Sequence, residues 1–170
     1  MSVLVTPNTR YRESFLAAVA EFAPHEQNMI VERRLANGNF DNYLKVVQAW
    51  TRGEQMPLGW VPVSTFWLVD GDTYIGSTNV RHELNAYLRD YGGHIGYTIR
   101  PSKRQMGHGT EICRLALEES RKIGLKRVLI TCDDDNFGSR KIIERNGGVF
   151  ENKVPQPDVN VPKRRYWFDL

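Results

Sequence analysis

The segment that most constrains this chain is Arg104-Gln105-Met106-Gly107-His108-Gly109-Thr110. Before it, Ile95, Tyr97 and Ile99 alternate with smaller or polar residues, which predicts a strand over 94–100 closed by Pro101. After it, Ile112, Leu115, Ala116 and Ile123 fall at helical spacing. Thr110 and Glu111 stand in the first turn, Arg121 and Lys122 in the last, and Gly124 follows. A strand that turns through glycines into a helix aims successive N–H groups, and the positive end of the helix, at one spot. That arrangement suits a phosphate. Glycine at 107 and 109 is expected to clear space for a phosphate oxygen and to permit a positive φ. Arg104 adds a fixed cation. A dinucleotide fingerprint would need glycine where Ile112 stands, and the Gly-Lys-Ser/Thr of a Walker loop is missing.

The rest of the chain alternates helical and extended patterns. Val3–Val5, Phe66–Val69, Tyr74–Glu83, Val128–Cys132, a strand from Val149-Phe150, and Arg165–Leu170 read as strands. Tyr11–Phe22 and Phe40–Gly53 read as helices, separated by a loop over 24–39. Asn136 is placed to cap a helix over 137–145 that Gly147-Gly148 ends. Residues 54–66 and 84–93 read as connections. Helices first, an antiparallel meander, then strand–helix–strand–helix–strand predicts an α+β (mixed α/β) fold. A chain of 170 residues forms one domain, 1–170.

Composition excludes several classes. A net charge of +3 is too small to imply a nucleic-acid partner. No apolar run approaches the roughly 20 residues of a membrane helix. The start MSVLVTPNTR lacks a secretory pattern, and Cys113 and Cys132 read as core thiols, so a cytoplasmic location is expected. Asp133-Asp134-Asp135 could attract a cation, but three adjacent carboxylates on a loop cannot face one ion, so no metal is expected.

The pattern Arg-x-x-Gly-x-Gly at 104–109, after a proline-closed strand, resembles the acyl-CoA pyrophosphate loop of the GNAT superfamily of N-acyltransferases. The order strand, loop and helix, strand, then a helix opening with Asn136 and carrying Ser139 three residues later is similar to that family too. The likeness covers about 64–170, and 92-GGHIGYTIRP-101 and 130-ITCDDDN-136 resemble a bacterial branch without an assigned substrate. It implies a mixed β-sheet splayed open near the strand of Ile99, flanked by helices, with 1–63 a helical acceptor-side region and 64–170 the cofactor-binding core. It implies acetyl-CoA as co-substrate, held by Ile99, Arg104, Gln105, Met106, Gly107, His108, Gly109, Thr110, Asn136 and Ser139. The implied reaction is direct attack of a primary amine, on a small molecule or a peptide, on the thioester in a ternary complex.

One departure stands out. Many family members carry a tyrosine four residues after the Ala/Ser position to assist the departing thiolate, and here Ile143 occupies it. Candidate bases for the amine proton are His94, at the start of the cofactor strand, and Glu83, at the end of the preceding strand. Their competing readings are a histidine bonded to loop backbone and a solvated strand-end carboxylate. Tyr97 reads as core or pocket wall, and Tyr166 as packing or a donor to sulfur. Trp50, Trp60, Trp67 and Tyr87 could line an aromatic acceptor pocket. The alternative to an enzyme is an inactive CoA-binding sensor or partner domain, and a homodimer is left open.

Overall fold

The computed structural model describes residues 1–23, 38–157 and 159–170. Most of the expected 24–39 loop lies outside the described residues. Four strands, β1 (Val3–Val5), β2 (Val63–Asp70), β3 (Thr73–Arg81) and β4 (Ile95–Ile99), form an antiparallel sheet in that order. Three more, β5 (Arg127–Asp133), β6 (Val149–Gln156) and β7 (Val159–Asp169), form a second antiparallel sheet with β7 in the middle. The helices are α1 (Arg12–Glu21), α2 (Phe40–Thr51), α3 (His108–Lys122) and α4 (Phe137–Arg145). The α+β class is as read from sequence. The expected splay near Ile99 takes the form of two antiparallel sheets that share no ladder, with β4 and β5 meeting at the His94–Leu129 hydrogen bond.

The alternation of β2 explains how the layers assemble. Trp67 and Val69 face α1 and α2, where Trp67 stacks on Phe15 with ring centroids 4.5 Å apart and Phe40, Tyr43 and Tyr74 close the cluster. Leu68 faces the other way, toward Ile75 and Ile112 of α3. With both faces covered, β2 reads as a near-continuous buried run rather than an alternating one. A third cluster joins the two sheets through Val80, Ile95, Cys113, Val128, Ile130, Ile143 and Phe168.

The sheets meet at one joint. The His94 N–H donates to the Leu129 carbonyl at 2.7 Å, and the Leu129 N–H donates back to His94 Nδ1 at 2.9 Å. Just before β4, residues Leu88–Gly92 form a π-helical turn, and the Thr131 hydroxyl donates to the Tyr91 carbonyl at 2.6 Å. Beyond the joint β4 runs on with β3 alone as its partner among the described residues, which leave its other edge, and that of β5, without a ladder.

Candidate active site

The open edges border a cavity of about 770 Å³. One end is walled by Tyr97 and Thr98 of β4, Ile130 and Cys132 of β5, and Asn136 and Ser139 at the start of α4. The other end is walled by Trp50, Trp60, Tyr87 and Tyr91. There the Trp50 and Trp60 rings lie 5.2 Å apart, and those of Tyr87 and Tyr91 5.5 Å apart. Asn85 ties the two walls together by donating to the Gly59 carbonyl at 2.9 Å. Of the four aromatics proposed for a pocket, Trp67 is excluded, since it belongs to the α1–α2 core.

Asn136 caps α4 as its sequence position suggested. Its Oδ1 accepts the Ser139 N–H at 3.0 Å, and the residue also lines the cavity, with its amide NH2 as a remaining donor.

The turn before α3 is built otherwise than expected. Positive φ falls at Gly107 (+87°) and at Gln105 (+61°), while Gly109 already lies inside the helix. A Cβ on Gly109 would come within 2.5 Å of Ile142 Cδ1, so this glycine serves the close approach of α3 to α4. Asn146 reinforces that contact by donating to the Thr110 carbonyl at 3.2 Å. Among the described residues, the N–H groups of 105–109 donate to no backbone carbonyl, whereas Thr110 and Glu111 bond back to Gly107. Arg104 is fixed at the rim, with Nε donating to the Ile99 carbonyl at 3.1 Å and its guanidinium 5.5 Å from the centre of the Phe22 ring. Met106 is exposed, and His108 Nδ1 lies 3.5 Å from Glu111. The residues 104–110 stand outside the cavity lining, joined to it through the α3–α4 packing.

Glu21 also secures this turn. It accepts from Arg100 Nε at 2.7 Å and from the Ser102 N–H at 3.0 Å, which pulls its carboxyl down to about 2. The Asp133–Asp135 run is engaged in the same structural manner. Asp133 pairs with Lys163 at 2.7 Å, and Asp134 pairs with Lys153 and Arg164.

Neither candidate base reaches the cavity. Glu83 is exposed and lies outside its lining. His94 is 6% exposed, and its Nδ1 is already occupied by the Leu129 N–H. Burial, aided by Arg81 and Arg89, pushes its pKa down to about 4. The ring is thus neutral in the fold and protonates in the unfolded chain near its ordinary 6.5. The sign follows: its contribution is whole above the unfolded value and is lost as pH falls toward the folded one. About 2 kcal/mol should disappear between pH 7 and pH 5. Urea unfolding at the two pH values should show this loss in the natural protein and a smaller one in His94→Asn, whose amide oxygen can accept from Leu129 without titrating. Equal losses would remove His94 as the cause.

Tyr166 is spoken for as well, since its hydroxyl donates to Glu144 at 3.0 Å. Ile143 is fully buried in the inter-sheet cluster. Cys113 and Cys132 are free, buried thiols, raised by burial to about 12 and about 11.

A family model for the acetyltransferase (GNAT) domain matches residues 10–149. The chain belongs to the GNAT acetyltransferase family. Its activity class is therefore acetyl-CoA-dependent N-acetyl transfer, with acetyl-CoA as co-substrate. No curated protein matches the chain. Among solved structures, Mycobacterium smegmatis RimJ in complex with CoA-disulfide is similar with a TM-score of 0.71 and 15% identity, over 99% of this chain and 81% of that one. An acetyltransferase from Salmonella typhimurium that modifies the N-terminal serine of a 50S ribosomal subunit protein matches with a TM-score of 0.66 and 12% identity, over 99% and 95%. A chimera of the spermidine N-acetyltransferase SpeG from Vibrio cholerae with hSSAT matches with a TM-score of 0.66 and 15% identity, over 99% and 95%. At these identities the likeness is one of fold. Among the described residues no helix is long and apolar enough to cross a membrane.

Proposed function

We propose that this GNAT acetyltransferase binds acetyl-CoA along the open edges of β4 and β5, with the pyrophosphate on the N–H groups of 105–109, and acetylates a primary amine presented from the Trp60 end. The observation that carries this reading is the convergence, on one cavity, of the unpaired strand edges and the Asn136 and Ser139 side chains. Gln105, Met106, Gly107, His108, Gly109 and Thr110 contribute backbone, and Arg104 a cation at the rim. Ile99 contributes by anchoring Arg104 through its carbonyl. The Asn136 amide NH2 serves the acyl arm.

The acceptor end favours an amine borne on an apolar or aromatic group, on a small molecule or a peptide terminus. Leu58, Trp60 and Tyr87 are exposed there. The one carboxylate among the described lining residues, Asp133, is held by Lys163, which leaves little to attract a polycation. The attacking amine must be neutral, and with Glu83 and His94 outside the cavity we assign its proton to water leading to solvent.

Acetyl-CoA should raise the melting temperature, by the equivalent of about 2.7 kcal/mol at a hundredfold excess over Kd. Dephosphorylated pantetheine, lacking the pyrophosphate, should do much less. Thiol release from acetyl-CoA should then saturate with an aromatic amine such as phenethylamine and be weaker with spermidine. Absence of a thermal shift at millimolar acetyl-CoA would overturn the binding site. A shift without thiol release across amines, polyamines and peptides would favour the sensor.

A further inference from the structure

The β4 wall of the cavity holds a phenol whose ring packs on the core while its hydroxyl is left without a well-formed partner among the described residues. Tyr97 sits at the middle of β4 and lines the cavity, and its hydroxyl oxygen is buried beside the Ser139 hydroxyl without a well-formed hydrogen bond among the described residues. A buried hydroxyl without a partner costs about 1–3 kcal/mol, so the group is kept at the expense of stability. Tyr166, which has Glu144 as acceptor, is the ordinary case. The groups facing Tyr97 come from three elements: the Cys113 thiol of α3, the Cys132 thiol of β5 and the Ser139 hydroxyl of α4. No carboxylate or cation is among them. In this neutral, dry setting burial raises the phenol's pKa, and the proton stays on oxygen at any working pH. The group is a fixed hydrogen-bond donor whose oxygen neighbour, the Ser139 hydroxyl, lines the same cavity and can be exchanged for a ligand atom.

An acyl arm laid between β4 and β5 and passing Asn136 and Ser139 brings its thioester to this wall. Two of its atoms gain negative charge in the reaction, the carbonyl oxygen and the sulfur. Backbone N–H groups on the open β4 edge lie in the plane of the sheet and suit the oxygen. The side chain of Tyr97 leaves that plane toward α3 and α4. We propose that Tyr97 donates a hydrogen bond to the sulfur of acetyl-CoA as the carbon–sulfur bond breaks, doing from β4 what residue 143 cannot. The proposal rests on the acetyltransferase reading above. The amine nitrogen forms its bond to the carbonyl carbon, and the carbon–sulfur pair departs with sulfur. The Tyr97 O–H remains intact and shares its hydrogen with the thiolate. The amine proton leaves through water, and solvent protonates the thiolate on release.

Tyr97→Phe removes only the hydroxyl. The melting temperature of the free protein should stay level or rise, because an unsatisfied group is lost. Affinity for acetyl-CoA should change less than about twofold, while kcat falls by about 10²-fold or more. A second readout needs no amine. A donor at sulfur favours the thiolate of bound CoA, so calorimetric affinity for CoA, relative to desulfo-CoA, should rise between pH 6 and pH 9 in the natural protein. In Tyr97→Phe that rise should shrink. An unchanged rise, or an unchanged kcat, overturns the role of Tyr97 and leaves the acetyltransferase reading standing. A fall in melting temperature together with lost affinity would make the hydroxyl structural and overturn it too. Failure of either protein to bind CoA would defeat the underlying reading itself.

Discussion

Gly93→Ala should cost about 4 kcal/mol of folding stability, a large part of what a domain of this size has. Gly93 adopts φ 65° and ψ −175°, a region that is essentially closed to residues with a Cβ and costs about 1–3 kcal/mol to enter. A Cβ there would also stand 2.6 Å from the Leu129 carbonyl oxygen, which is backbone and cannot swing aside. Relief would require moving β5 away from the joint, which breaks the paired bonds between His94 and Leu129. Overpacking of this kind adds about 1–3 kcal/mol. Urea unfolding should give a lower midpoint at constant m-value, and the melting temperature should fall by roughly 10 °C. A loss below about 1 kcal/mol would mean that the joint yields to the added methyl.

Ile143→Tyr is expected to destabilise by about 3 kcal/mol without raising turnover. The family resemblance implies a tyrosine at this position in many members, where it assists the thiolate, so the substitution looks like a repair. The packing says otherwise. Ile143 is 0% exposed, and a Cβ on Gly148 would already meet its Cγ2 at 2.6 Å. The larger ring overfills this space, and its hydroxyl enters a region among Val80, Cys113, Val128 and Phe168 with nothing to accept its proton. Chemical unfolding and thiol release measured on the same preparation separate the two readings. A gain in kcat would place residue 143 beside the sulfur and displace Tyr97 from that task.

What could be read from the sequence was whatever is local. The Asn136 cap, the termination of the strand at Pro101 and the start of α3 at His108 are decided by neighbours within a few residues. The fate of His94 is decided by Leu129, 35 positions away, so sequence alone left a base and a backbone-bonded histidine side by side. The constraint on Gly109 is legible in sequence, but its positive φ is not found and its contact with Ile142 arises only once α3 and α4 pack. The positive φ of Gln105 carried no signal, since glutamine does not advertise it. Tyr97 was visible as part of an alternating strand, while its missing partner is a property of the assembled core. The splay near Ile99 follows from the family resemblance, while the strand patterns themselves reveal which face is buried and say nothing of which edges pair.

The division into two sheets bears on how the protein avoids self-association. Unpaired strand edges are templates on which another chain can add. Among the described strands, two of the four sheet edges, β4 and β5, face one shared cavity, which restricts the approach of a second protein strand to them. The outer edges are blunted by other means. β1 has only 3 residues, and β6 breaks its register at Phe150/Asn152 and again at Val154/Gln156, with Glu151, Lys153 and Pro155 along it. The opening that receives a ligand is thereby also the place where this fold can leave a β-edge bare without inviting aggregation.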